Sequence, residues 1–152
     1  MMKSFFAACA AVSLFSMVSA AEVQTKEGKC VLQESNGFDK GKVIQVEVGK
    51  VVKGTCKFYL SDFFGKKIIN ANIDIKNTAD KPMHCHYYVA FFSESGELIG
   101  CAGQGSFSKE GLAAGEKTTL GSCLIPVPEG FHEKAVSYKI TFYEDEKQIG
   151  KK

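Results

Sequence analysis

The sequence predicts an all-β chain, an antiparallel β-sandwich of about seven to nine short strands preceded by a signal peptide. Three observations carry this. In the stretch from Lys67 to Gly100, Ile69, Ala71, Ile73 and Ile75 alternate with Asn70, Asn72, Asp74 and Lys76. A period of two, apolar on one parity and polar on the other, is how a half-buried strand reads. The same alternation returns late in the chain, where Val136, Tyr138, Ile140 and Phe142 interleave with Ser137, Lys139 and Thr141. Between these, turn residues recur every few positions, and no convincing helical period appears after the first twenty residues.

Taken in order, Met1-Met2-Lys3 is a short positive n-region, and Ser4 to Val18 is an apolar stretch rich in Phe, Ala, Val and Leu. Ser19-Ala20-Ala21 offers the small residues that signal peptidase needs, so cleavage is expected after Ala20 or Ala21. The apolar run is shorter than the ~20 residues that span a bilayer, which favours a leader over an anchor. The expected location is secreted or periplasmic, with no transmembrane segment in the mature chain. Residues 21–152 have the usual size of one domain. Glu22 to Lys29 reads as a polar lead-in and Cys30-Val31-Leu32 as a short strand. Ser35 to Gly41 is a turn-rich loop, and Val43 to Val48 is a strand. Val51-Val52 and Cys56 to Leu60 are short apolar pieces, followed by the turn Ser61 to Gly65 with its two aromatics. Asn77 to Pro82 breaks the strand that follows. Met83 to Phe92 suits a central strand, and Ser93-Glu94-Ser95-Gly96 is a hairpin turn. Cys101 to Ser108 is Gly-rich and fits a twisted or bulged strand. Lys117 to Ile125 is a Thr-rich strand stopped by Pro126 and Pro128, and Glu144 to Lys152 is a charged, solvated end.

Composition excludes some functions. The chain has 19 basic residues against 17 acidic ones, a formal charge of +2 that becomes +1 without Lys3, and every basic residue is Lys. Planar recognition of phosphate, carboxylate or guanine leans on Arg. With no Arg and no basic cluster along the sequence, nucleic acid is not an expected partner. Gly103-x-Gly105 lacks the third Gly and the helix of a dinucleotide site, and no Gly-x-Ser-x-Gly elbow is present. Carboxylates are scattered and none sits at a recognisable spacing from a His, so an enzyme is not expected.

The pattern that does suggest chemistry is Met83-His84-Cys85-His86. Residues two apart on a strand share a face, so His84 and His86 point outward with Tyr88, while Cys85 points inward with Tyr87, Val89 and Phe91. Two surface imidazoles could ligate Cu or Zn, with His132 as a third nitrogen. The candidate binding surfaces are Tyr88 on that face and Phe63 and Phe64 on their turn, although aromatics on a loop more often plug the end of a sandwich. Of six cysteines, five remain after Cys9 leaves with the leader, and an oxidising compartment favours disulfides. Sequence alone does not choose the pairing. If Ser93 and Glu97 flank a three-residue loop, Val89 faces Cys101, and Cys85 lies roughly 13 Å from Cys101, too far for a bridge. That leaves Cys85 a buried free thiol, with Cys101–Cys123 as one expected pair; Cys30–Cys56 is the other, on proximity in sequence alone.

Ile73-Asp-Ile-Lys-Asn-Thr-Ala-Asp-Lys-Pro82, then Val89-Ala-Phe-Phe-Ser-Glu-Ser-Gly-Glu-Leu-Ile-Gly100, then Leu112-Ala-Ala-Gly-Glu-Lys-Thr118 and the strand Val136 to Phe142 together resemble the Ig-like β-sandwich modules of extracytoplasmic bacterial proteins, in particular the FxLYD type. The likeness covers residues 67–143, and Ser93 stands where such modules commonly carry Asp. It implies an Ig-like sandwich acting as a small binding or accessory module, and it transfers no catalytic residue. The expectation is therefore a secreted or periplasmic, non-catalytic binding module without a cofactor, whose partner is a protein or a cell-envelope component. The alternative is a periplasmic Cu- or Zn-binding protein using His84 and His86.

Overall fold

The computed structural model describes residues 22–39, 41–106 and 108–147, with the side chains of 122–124 and 126 outside that description. The expected leader, residues 1–20, lies outside the described residues. Eight strands follow one another: β1 (Glu22–Lys29), β2 (Ile44–Val48), β3 (Val52–Phe63), β4 (Lys66–Asn77), β5 (His84–Phe92), β6 (Leu98–Gly105), β7 (Lys117–Pro126) and β8 (Ser137–Asp145). A 3-10 turn, His132–Lys134, precedes β8. The strands form two four-stranded antiparallel sheets, sheet A in the order β1-β8-β5-β6 and sheet B in the order β2-β3-β4-β7. This is an all-β sandwich. No helix among the described residues is long and apolar enough to cross a membrane.

The alternation read from the sequence sets the core. Ile69, Ala71, Ile73 and Ile75 turn inward from β4, and Cys85, Tyr87, Val89 and Phe91 from β5 meet them, all at 3 % exposure or less. Ile140 and Phe142 of β8 complete the inner face of sheet A. Phe58 links the sheets, its ring set edge-on to Phe91 at 5.3 Å and tilted against Tyr138 at 4.9 Å. Burying each such side chain contributes about 1.5–3 kcal/mol. Tyr87 carries a hydroxyl into this core and donates it to the Ala71 carbonyl at 3.3 Å. Asn77, fully buried at the end of β4, closes the predicted turn by donating to the carbonyls of Lys81 and Leu112 while its own oxygen accepts from Ala79 N–H.

Four expectations change. Glu22 to Lys29 is a strand, and Cys30 to Leu32 is not; β1 is a sheet edge with mostly solvated side chains, so its polar composition hid a backbone fully paired with β8. The two apolar pieces around Gly54 are one strand, β3. The β5–β6 register also differs. Ser93 and Glu97 do flank the hairpin loop, but a bulge between Phe91 and Phe92 and their partners leaves Ile99 out of the ladder. Beyond it, Ala90 rather than Val89 faces Cys101, which therefore lies on the outer face and is exposed. One extra residue flips every later side chain to the other face.

The fourth correction is Glu144, expected in a solvated strand end. It continues the inward parity of Tyr138, Ile140 and Phe142 and is 3 % exposed. Its carboxylate accepts the consecutive amides of Lys50, Val51 and Val52 at 3.0, 3.1 and 2.6 Å. Beside it, Gln24 accepts the N–H of Gly49 at 3.0 Å. Gly49 has φ 81°, and a Cβ there would fall 1.9 Å from the Val52 carbonyl oxygen, so the turn that presents these amides requires glycine. Sheet A thus grips the β2–β3 hairpin of sheet B. Replacing Glu144 by Ala removes the acceptor from one buried and two part-buried amides and is expected to cost about 3 kcal/mol, with Glu144→Gln losing less. Urea denaturation measures this, and an unchanged midpoint in Glu144→Ala would show that the contact does not hold the sheets.

Candidate functional site

The β3–β4 hairpin closes through two residues, Phe64 at φ 53° and Gly65 at φ 76°. Two-residue hairpin turns of this hand need positive φ at both positions, which Gly takes freely and Phe does not. The left-handed backbone costs an ordinary residue about 1–2 kcal/mol. Phe64 recovers nothing by burial, since it is 91 % exposed, and its neighbour Phe63 is 49 % exposed. The two rings meet edge to face at 4.7 Å, and Asp62 steadies the turn by accepting Gly65 N–H at 2.8 Å.

Beside this tip lies a cleft of about 660 Å³ whose lining includes Phe64, Lys66, Lys67, Pro128, Glu129 and His132. Lys67 reaches across to Glu34 and lies 3.7 Å from Asp62. The hydrogen bond to Glu34 is the main reason its ammonium titrates above the usual lysine range. The loop that carries Glu34 runs alongside Leu60, Ser61 and Asp62 and lifts Phe38 into solvent at 88 % exposure. Phe38 escaped the sequence reading because it is a lone aromatic in the polar turn Ser35 to Gly41, with no period to mark it.

His84, His86 and Tyr88 share the outer face of sheet A, as their spacing requires. Tyr88 is 53 % exposed and stands edge-on to Tyr143 of β8, centroids 6.0 Å apart. Tyr88 and His86 lie down over Gly103 and Gly105, their cross-strand partners; a Cβ at these glycines would fall 2.2 and 2.1 Å from the two rings. His84 departs from expectation. It is on the outer face but buried, packed where Gly111 passes within reach of its Nε2, and its Nδ1 has no hydrogen-bond partner. Burial, and secondarily the neighbouring His84, hold the His86 imidazole below its usual pKa.

His132 does not join these two. It lies in the 3-10 turn that leads to Ser137, the partner of Phe92, whereas His84 pairs with Asp145 at the other end of the same strands, roughly 26 Å away by strand rise. Its Nδ1 is also buried without a partner. Among the described residues no three His, Cys, Asp or Glu side chains gather as a metal would need.

The cysteines divide by face. Cys85 is fully buried and its thiol is pushed up to about 12, first by desolvation and then by the charge of Glu144. Cys30 is pushed up to about 11 by burial. Cys30 and Cys56 enter the core from opposite sheets, and no disulfide joins them. The thiol of Cys101 faces solvent, and the side chain of its expected partner Cys123 lies outside the described residues.

No protein-family model matches this chain, and the search of curated proteins finds no match. Among solved structures, the enzymatically active domain of tailspike protein 4 from bacteriophage CBA120 aligns with a TM-score of 0.26 and 10 % identity. The alignment covers 82 % of this chain and 17 % of that one, so this chain spans about a sixth of the length of that domain's chain. A likeness at that level bears on neither fold nor activity.

Acid sensitivity follows from His86. An imidazole whose folded pKa is depressed binds fewer protons than the unfolded chain between that value and 6.5. Its contribution to stability is whole above pH 6.5 and is lost as pH falls through this window. NMR titration of the His86 ring should give a midpoint below 6.5, and His86→Gln should flatten the fall in stability. A midpoint at or above 6.5 would contradict the packing of this ring.

Proposed function

We propose that this protein is a secreted or periplasmic, non-catalytic binding or accessory module, and that it engages a protein or cell-envelope component through the Phe63–Phe64 tip. The observation that carries the proposal is Phe64: a bulky aromatic in a left-handed backbone conformation, 91 % exposed. Neither local geometry nor burial accounts for a Phe at this position, and strain kept in a fold points to use. The tip, the adjoining cleft and Phe38 give an aromatic end with charges of both signs close by, which suits a partner offering apolar surface with a polar rim. The resemblance of residues 67–143 to FxLYD-type modules supports the same class.

Binding is favoured over catalysis because the buried Glu144 and Cys85 serve the fold. Glu144 is occupied by three amides, and a thiol at about 12, as in Cys85, is not a nucleophile near neutral pH. A second reading, a Cu- or Zn-binding protein, draws on the partnerless Nδ1 of His84 beside His86. Under that reading, stoichiometric metal uptake seen by native mass spectrometry disappears in His86→Ala.

Phe64→Gly separates use from structure. Removing the strain should raise stability by about 1 kcal/mol, because Gly takes positive φ without cost. The same change should abolish retention of the protein on isolated cell envelopes, while Tyr88→Ser leaves retention intact. A Phe64→Gly protein that is less stable and binds as before would show that the ring serves the fold, and would end the proposal.

A further inference from the structure

Three lysines far apart in sequence are brought into one row on the outer face of sheet B. Lys53 of β3 is directly opposite Lys76 of β4, and Lys76 is directly opposite Lys117 of β7. Partners in an antiparallel ladder point to the same face, and neighbouring strands are roughly 5 Å apart, so three ammonium groups share one strip of surface. All three are exposed, and among the described residues no carboxylate forms an ion pair with any of them. Like charges directly opposite each other destabilise a sheet, and here the arrangement occurs twice in succession.

The nearby carboxylates are engaged elsewhere. Asp74, one register step away, binds Lys57 through one oxygen and accepts the Thr119 hydroxyl at 2.6 Å through the other. Glu47 accepts the Thr55 hydroxyl at 2.8 Å, and Glu116 accepts Ala113 N–H at 2.8 Å. The three lysines and Thr55 line one depression of about 550 Å³, together with the engaged carboxylates of Glu47 and Asp74. A site of three point charges without Arg suits a compact, multiply charged oxyanion better than a planar carboxylate.

We propose that the Lys53–Lys76–Lys117 row is a binding site for a multiply charged oxyanion, a phosphate or sulfate group. It lies at the opposite end of β3 from Phe63 and stands independently of the aromatic tip. Binding relieves the repulsion along the row and takes its attraction from all three ammoniums.

The test uses the whole chain at low ionic strength, where screening is weak. Titration with inorganic phosphate and with sulfate, followed by NMR shifts of Lys53, Lys76 and Lys117, should saturate at one site. Lys76→Ala should weaken binding about three- to fivefold, and the triple Ala variant should show no saturation. Lys139→Ala, on the outer face of sheet A, should bind like the parent. Lys76→Gln should raise the melting temperature in anion-free buffer and remove the further rise that phosphate gives the parent. A second arm sediments the protein with vesicles containing phosphatidic acid. Sedimentation lost in Lys76→Ala assigns the group to a lipid head, and phosphate binding without sedimentation assigns the free ion. No saturation with phosphate, sulfate or vesicles, or equal weakening in Lys139→Ala, would overturn the proposal.

Discussion

A carboxylate taken out of water needs donors, and Glu144 finds three in a row on the backbone of the opposite sheet. The rest of the sandwich depends on this contact in a concrete way. Apolar side chains from two sheets attract each other without direction, so they fix the spacing of the layers better than their alignment. The grip of Glu144 on residues 50–52, with Gln24 on Gly49, is directional. It holds the β2–β3 hairpin against the β1–β8 pair and so sets which residues of the two inner faces meet. Cys85 sits opposite Glu144 in the ladder and feels its charge, which helps keep that thiol protonated.

With the interior thus committed, the surface is left for function, and its two ends differ. At one end of β3, the chain holds aromatic rings in water at some conformational cost. At the other, sheet register lines up three ammonium groups. The outer face of sheet A differs again: His86 and Tyr88 lie flat over glycines, so much of their surface is spent on the neighbouring strand. That packing is why Tyr88 offers less to a partner than Phe64 does, although both are exposed aromatics. Topology, not this packing, keeps His132 away from the two histidines at metal-binding spacing. A strand puts His84 and His86 on one face, but their third partner had to come from another element, and the topology puts it at the far end.

Much of the core was legible because alternation in β4 and β8 is a direct record of which side chains face the partner sheet. The two-residue tip was legible as a turn carrying two aromatics, though neither their exposure nor the positive φ of Phe64 was. Less visible was β1, whose pairing is a backbone matter that composition does not report. Glu144 could have been found: it keeps the parity of Tyr138, Ile140 and Phe142, and only its charge argued for solvent. The placement of Cys101 could not, because a single bulge near Ile99 decides it and nothing in Leu98-Ile99-Gly100 announces which residue is left out of the ladder.

By itself, then, the sequence determined the strand periodicity, the inward set of Ile, Val, Phe and Tyr, and the turns, because these follow from local backbone geometry and from the cost of leaving apolar area in water. Only the tertiary structure decided what meets across strands and sheets. Lys53, Lys76 and Lys117 form a row, His132 stands apart from His84, and Glu144 finds its amides. Each of these depends on register and on the order of strands in a sheet, which are properties of pairs of segments and are written in neither segment alone.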